Sequence, residues 1–203
     1  MRTETVTREI FQFSELDDSA KEAAREWYRA GALDYEWWEC TIDDFVTIAA
    51  TLGIETSADK VFFSGFYSQG DGASFHGSYS YKKGAAKAIR DYAPTDETLH
   101  AIADRLQDVQ RRNFYRLSAE LSRNHYAGNY YHENTVSIDV FKNGEPDDNF
   151  PETADEVRDI MRDLMRWLYR TLEAEHDYLL SDEAVDETIK ANDYEFTEEG
   201  ERA

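Results

Sequence analysis

The sequence predicts an α+β fold: a small, mostly antiparallel sheet with a central β-hairpin, covered on one face by several helices. Four long segments repeat apolar residues at helical spacing, whereas others alternate apolar and polar residues as half-buried strands do. Two of the alternating segments flank a glycine-rich turn, which is the signature of a hairpin. Helices and strands do not alternate regularly along the chain, and this argues against a parallel, doubly wound sheet.

The first part of the chain predicts a strand followed by two helices. Residues 4–13 alternate and are rich in β-branched and aromatic side chains. A capping box with Ser14 as N-cap and Asp17 as its partner predicts the start of the first helix, and Gly31 predicts its end. An apolar stripe predicts the second helix over residues 34–52.

Residues 61–81 predict the central hairpin, because two β-rich arms flank the turn sequence SQGDG at residues 68–72. The second arm places apolar residues at alternate positions, so one of its faces is expected in the core. The remaining segments follow the same two periodicities. They predict helices over 84–92, 95–123, 154–176 and 181–191, strands over 135–142 and 194–197, and a loop over 124–134.

Composition predicts one compact acidic domain over residues 1–203. Hydrophobic residues make up 41% of the chain, which is enough for a core. The formal net charge is −21. Such a charge repels nucleic acid and anionic membranes, so we expect no direct contact with either, and it favours a basic partner. Solubility or adaptation to salt would produce the same composition.

The chain carries no sign of an oxidising compartment or of a membrane. Cys40 is the single cysteine, so no intramolecular disulfide is possible, and its apolar surroundings in the sequence predict a buried side chain. No hydrophobic run of signal-peptide or membrane-spanning length occurs. Cytoplasmic location is the expectation; no cofactor is predicted, and the oligomeric state stays open.

No short catalytic motif is present, and no catalytic residue is predicted. The hairpin loop is the best candidate for a ligand site. Its glycines expose backbone amides that suit an anion, and its polar side chains suit hydrogen bonds or a metal ion. The alternative is a tight turn stabilised by an Asp side chain. The residues of this candidate ligand site are Gln69, Gly70, Asp71, Gly72 and His76.

Two other segments suggest a surface for protein interaction. Tyrosines in the loop 124–134 bury area at low entropic cost, although they also anchor loops to a core. From residue 171 to the end, twelve acidic residues face only Lys190 and Arg202, so carboxylates could imitate the phosphates of nucleic acid or simply form a solvated face. The candidate interaction residues are Tyr126, Tyr130, Tyr131, Asp182, Glu183, Asp186, Glu187, Asp193, Glu195, Glu198 and Glu199.

Five segments resemble a family of small phage- and prophage-encoded proteins, some loosely described as antitoxin-like. They are FSEL at 13–16, AREW at 24–27, FSGFYSQGDGASF at 63–75, YRTLE at 169–173 and ANDYEFT at 191–197. The resemblance spans nearly the whole chain, and the stretch 69–75 is its most specific part. It implies a protein that acts in the cytoplasm of an infected cell, and it implies no reaction.

The leading hypothesis is therefore an acidic, non-enzymatic interaction protein that binds and inhibits a host macromolecule. The expected partner is a host protein with a basic or nucleic-acid-binding surface. Inhibition of a CRISPR or restriction complex and neutralisation of a toxin are two specific forms. The alternative is a small-ligand, nucleotide or metal-binding protein, or an enzyme, with its site at the hairpin loop.

Overall fold

The computed structural model of the protein describes Arg2 and residues 8–124, 128–146 and 150–203. The chain divides into two compact units. The first unit comprises residues 1–37 and 174–203, and the second comprises residues 38–173. The single domain expected over residues 1–203 stays a prediction, which calorimetry can test.

Helices and short antiparallel strands make up the described residues, as an α+β fold requires. Six α-helices are present there: α1 (Asp18–Arg29), α2 (Glu39–Leu52), α3 (Ala85–Tyr92), α4 (Glu97–Arg112), α5 (Pro151–Leu179) and α6 (Asp182–Ala191). The strands described are β1 (Phe11–Gln12), β2 (Ile54–Glu55), β3 (Val61–Phe63), β4 (Ala73–Phe75), β5 (Gly77–Ser80), β6 (Leu117–Arg123), β7 (Val136–Lys142), β8 (Glu145–Pro146) and β9 (Glu195–Phe196).

A five-stranded antiparallel sheet is the centre of the second unit, in the strand order β2-β5-β6-β7-β8. Apolar and polar residues alternate along its three central strands, so one face is buried and the other meets solvent. The buried face carries Tyr79, Leu117, Ala119, Leu121, Ile138 and Val140. The predicted α+β class, with a mostly antiparallel sheet and helices over one face, is confirmed.

The stripe predicted for α5 is confirmed as its core face. Its apolar side chains recur three and four residues apart, and each fully buried one contributes about 1.5–3 kcal/mol. None of them is exposed: Val157, Ile160, Met161, Leu164, Met165, Leu168 and Leu172.

The central hairpin is present, but its second arm is divided between two sheets. β3 pairs only with β4, whereas β5 joins the five-stranded sheet. The division falls at His76 and Gly77. A Cβ atom on Gly77 would lie 2.1 Å from the carbonyl oxygen of Glu55, so glycine permits the close approach of β2 at this point.

The first unit has its own small core. Strands β1 and β9 pair antiparallel there, and helices α1 and α6 pack beside them. Its buried members are Phe13, Leu16, Ala20, Ala24, Val185, Ile189 and Phe196. Asp17 is the N-cap of α1 and accepts a 2.8 Å hydrogen bond from the N–H of Ala20. The prediction of Ser14 as N-cap was wrong. Ser14 lies within a short 3-10 helix, Phe13–Glu15, and α1 begins only after it, with Asp17 as the cap.

Three other predictions differ from the structure. The long helix predicted to residue 123 ends at Arg112, and β6 follows it. Cys40 is exposed rather than buried, because the inward stripe of α2 contains Ile42, Phe45 and Ala49 and leaves Cys40 outside it. The strand predicted over 4–13 is limited to Phe11–Gln12 among described residues, and residues 4–7 lie outside them.

Candidate interaction surfaces

The carboxylate of Asp71 organises its own loop. Its Oδ2 atom accepts hydrogen bonds from the backbone N–H groups of Tyr67 at 3.1 Å and Ser68 at 2.6 Å. The N–H of Asp71 donates to the carbonyl oxygen of Ser68 at 3.1 Å. An Asp side chain that accepts from nearby backbone donors stabilises a turn. This geometry favours a structural role for Asp71 over that of a ligand or a general base.

The two glycines of the hairpin loop bring it against the tyrosine-rich segment. Gly70 has a φ of +93°, and a Cβ atom there would lie 2.7 Å from the ring of Tyr130. A Cβ atom on Gly72 would lie 2.5 Å from the Cβ of His132. Two candidate sites that are about sixty residues apart in the sequence are therefore one surface. Tyr126, the third predicted interaction tyrosine, lies outside the described residues.

An aromatic stack anchors the same segment to the hairpin. The ring of Phe62 stacks on Tyr131 with centroids 5.6 Å apart and also contacts His76 at 5.0 Å. The guanidinium of Arg123 lies 5.3 Å from the centroid of the Tyr131 ring, as a cation–π contact. Tyr131 is thus half-buried as an anchor, whereas Tyr130 is 55% exposed and available to a partner.

His76 lines an open, polar cleft of about 450 Å³. Burial, together with the positive charges of Arg123 and Lys60, lowers the pKa of His76 below its ordinary value, because both disfavour the charged imidazolium. Of the five predicted ligand-site residues, His76 alone lines this cleft, and Asp71 serves its own turn instead. The lining residues are Glu55, Thr56, Ser57, Lys60, His76, Gly77, Ser78, Glu120 and Leu121.

A row of carboxylates crosses the solvent face of the five-stranded sheet. Glu55 pairs in register with Ser78, which pairs with Glu120, which pairs with Asp139. All three carboxylate residues are exposed. Glu120 and Asp139 are direct cross-strand neighbours, and like charges in that position destabilise a sheet. We name Glu55, Glu120 and Asp139 the acidic row.

The acidic row was not predicted, although the sequence held part of the signal. The alternation of β7 already placed Asp139 opposite the buried Ile138. Glu120 was assigned to a helix, so its position beside Asp139 could not be seen. The period-two pattern Leu117-Ser-Ala-Glu-Leu-Ser-Arg123 was the signal that could have found it.

Two of the predicted C-terminal acids are neutralised within the first unit. Arg25 binds Asp186 through two hydrogen bonds, from Nε at 2.7 Å and from Nη2 at 2.9 Å. Arg29 forms an ion pair with Asp182. The bond from Arg25 is the main cause that lowers the pKa of Asp186 below its ordinary value.

The other predicted C-terminal acids have no ion-pair partner within the described part of the chain. Those that are exposed are Glu183, Glu187, Asp193, Glu198 and Glu199, and Glu195 is half-buried in β9. The acidic surface of the first unit is therefore smaller than the sequence suggested, because α1 contributes arginines to it.

The arginine series along α5 is internally paired. Arg158, Arg162 and Arg166 form ion pairs with the acids three residues before them, at 2.9, 3.5 and 2.7 Å. Arg166 also binds Glu133 at 3.1 Å. Pairing of this kind on a helix surface leaves these arginines without free charge for an anion.

Within the described residues, no group of three or more His, Cys, Asp or Glu side chains is arranged to hold a metal ion. None of the described helices is both long and apolar enough to cross a membrane. A family model described as a domain of unknown function (DUF8835) matches residues 37–182. No curated protein and no solved structure matches the chain.

Proposed function

The chain belongs to the DUF8835 family of domains of unknown function, and from that premise we propose that it acts by binding a basic macromolecule through the acidic row. One observation carries the proposal. Glu120 and Asp139 stand directly opposite each other on an exposed sheet face. Like charges in that position cost roughly 0.2–1 kcal/mol, so the pair lowers stability.

Other residues on the same face support this interpretation. The neighbouring solvent-facing positions of the central strands are mostly serines: Ser78, Ser80, Ser118, Ser122 and Ser137. A serine at positions 120 and 139 would fit a solvent-facing strand without like-charge repulsion. Carboxylates there serve a cationic partner instead, because the partner's charges relieve the repulsion on binding.

The geometry of the row defines the kind of partner. Neighbouring strands lie about 4.8 Å apart, so the Glu120 and Asp139 carboxylates are about one strand spacing apart and Glu55 is about two spacings from Glu120. A line of exposed carboxylates suits a basic surface, such as a groove that binds the phosphates of nucleic acid. Together with the resemblance to phage proteins, this favours a host nucleic-acid-binding protein that the chain inhibits.

Capture from host lysate tests the proposal with a matched pair of variants. Glu120→Gln combined with Asp139→Asn removes the like-charge pair. Glu39→Gln combined with Asp43→Asn makes the same charge change on α2, at exposed positions of the same unit. Wild type and the α2 variant should enrich the same basic protein at low and moderate salt, and the acidic-row variant should lose it.

Stability separates loss of binding from loss of fold in that experiment. The acidic-row variant should be more stable than wild type by roughly 0.2–1 kcal/mol, because the cross-strand repulsion is gone. The proposal fails if both variants capture the basic protein equally well. It also fails if the acidic-row variant loses the protein only because it is less folded.

The cleft beside His76 favours a second candidate, a small-ligand site. Its volume of about 450 Å³ suits a small molecule. A panel of nucleotides and divalent metals, read as a change in melting temperature, tests it, since a bound ligand stabilises the fold by RT ln(1 + [L]/Kd). A ligand that raises the melting temperature of wild type but not of Lys60→Ala would support this candidate, and a panel without effect would exclude those ligands.

A further inference from the structure

One end of the five-stranded sheet carries aromatic rings and uncompensated positive charges. Ser80 pairs with Ser118, so the chain that leaves β5 runs beside the chain that enters β6. The rings of Tyr81 and Tyr115 meet there with centroids 4.5 Å apart. We name this surface the basic–aromatic end and define it by Tyr81, Lys82, Lys83, Phe114, Tyr115 and Arg116.

The backbone holds its aromatic residues in an unfavourable conformation. Phe114 has a φ of 56° and Tyr115 a φ of 61°, in the left-handed region that bulky residues avoid. The N–H of Tyr115 donates to the carbonyl oxygen of Gln110 at 2.7 Å, which fixes this turn. Phe114 is nevertheless 75% exposed. This left-handed turn ends α4. Glycine or asparagine is the usual residue there, so a bulky ring held in that conformation and displayed to solvent points to a role in binding.

Ion pairs within the described residues do not neutralise the positive charges of the basic–aromatic end. Within the described residues Lys83 and Arg116 are exposed and form no ion pair, and Lys82 donates to the carbonyl oxygen of Ala50 at 2.7 Å, which leaves its charge uncompensated. The neighbouring arginines of α4 are different. Arg111 and Arg112 pair with Asp108 and Glu156, at 2.9 and 2.6 Å, so they add little to this surface.

We propose that the basic–aromatic end binds single-stranded nucleic acid. Bases would stack on the rings of Phe114 and Tyr115, and phosphates would lie against Lys83 and Arg116, as on the aromatic and cationic platforms of single-strand-binding proteins. The cavity lined by Tyr81 and Lys82 has room for only about 10 Å³, which is too little to anchor a peptide side chain. The stacking of bases on exposed rings therefore suits this surface better than the insertion of a side chain into a pocket.

Net charge does not forbid this contact. The sequence-based expectation of no nucleic-acid contact rested on the total of −21. At physiological salt the Debye length is about 8 Å, so a short strand responds mainly to the charges within that distance. The inference is independent of the proposed function, since the acidic row shares no residue with the basic–aromatic end.

A fluorescein-labelled oligothymidylate of about eight nucleotides, within the size range of single-strand sites, is the probe. Fluorescence anisotropy measures its binding to wild type and to Phe114→Asn. Asparagine tolerates the left-handed conformation, so the turn survives while the ring is lost. We expect the affinity to fall roughly 5- to 150-fold, the effect of losing one stacked base.

Two controls make the result specific. Tyr67→Asn removes a ring that is 80% exposed and lies outside this surface; it should leave the affinity unchanged. Lys83→Gln with Arg116→Gln should weaken binding and flatten its salt dependence, whereas Lys87→Gln should do neither. The proposal is overturned if the oligonucleotide does not bind, if Phe114→Asn binds like wild type, or if a polyglutamate peptide of equal charge binds as tightly.

Discussion

At the scale of single residues, one buried amide secures the junction between α4 and β6. The Gln110 side chain is fully buried. Its Nε2 atom donates to the carbonyl oxygen of Leu117 at 2.7 Å and to the hydroxyl of Tyr79 at 3.2 Å. Its Oε1 atom accepts from the N–H of Leu117 at 3.2 Å. Helical periodicity places Gln110 beside the buried Leu106 and Val109, but its hydrogen-bond partners depend on how the chain turns back after α4.

Gln110→Ala should therefore destabilise the protein by about 2–4 kcal/mol, because it opens a cavity and leaves the N–H of Leu117 unsatisfied in the core. Gln107→Ala is the matched control, since Gln107 is exposed on the same helix. Urea unfolding of both variants measures the difference. Equal stabilities for the two variants would mean that the buried hydrogen bonds contribute nothing.

The hairpin loop gives a second prediction for single residues. Asp71→Asn keeps an oxygen that can accept hydrogen bonds from the N–H groups of Tyr67 and Ser68. It should therefore lower the free energy of unfolding by less than about 1 kcal/mol. Gly70→Ala should cost more than that, because its φ is +93° and the new Cβ would meet the Tyr130 ring. Thermal unfolding measures both. An Asp71→Asn protein that folds normally but loses binding would restore the ligand interpretation.

At the scale of elements, sequence periodicity identified most of the secondary structure. Helix α5 and strand β7 were found because a single face of each is buried, and burial is what their patterns record. Strand β6 was missed. Its Leu, Ala and Glu residues are good helix formers, and the chain leaves the helix through Phe114 and Tyr115, two residues that do not normally signal a left-handed turn.

The acidic row could not be predicted without β6. Its carboxylates line up only because β6 lies between β5 and β7. The register between strands depends on tertiary pairing, which the sequence does not state. The ion pair that neutralises Asp186 could not be predicted from the sequence for a similar reason. Its partner Arg25 is 161 residues away, and only the packing of α1 beside α6 brings the two together.

The Arg25–Asp186 ion pair joins α1 to α6 beside their shared apolar core. Asp186→Asn should destabilise the first unit by about 1–3 kcal/mol at pH 7, because it removes the charge from a bidentate, mostly buried bond. Glu187→Gln is the control, as Glu187 is exposed and unpaired within the described residues.

The same pair predicts a pH dependence. The pKa of Asp186 is lowered in the folded protein, so its contribution is present above about pH 4 and is lost as the pH falls through the folded value. The stability difference between wild type and Asp186→Asn should therefore vanish at low pH. A difference that persists in acid would exclude this cause.

At the scale of the whole molecule, the charge of −21 should govern both stability and partner choice. Self-repulsion destabilises the folded state and is screened by salt. The melting temperature should rise by a few degrees between about 10 mM and about 500 mM NaCl. Calorimetry checks this, with sucrose as an uncharged control for general stabilisation. One transition would support the predicted single domain, and two would match the two compact units.

The binding role of the acidic row is tested by the affinity of the protein for its captured basic partner. This affinity is measured by titration of the purified partner with wild type, with Glu120→Gln/Asp139→Asn, and with Glu39→Gln/Asp43→Asn. We expect the first variant to bind at least about tenfold more weakly than wild type, because it lacks the charges that face the partner. The α2 variant should bind like wild type. Equal affinities for all three proteins, or an equal loss in both variants, would contradict a binding role for the acidic row.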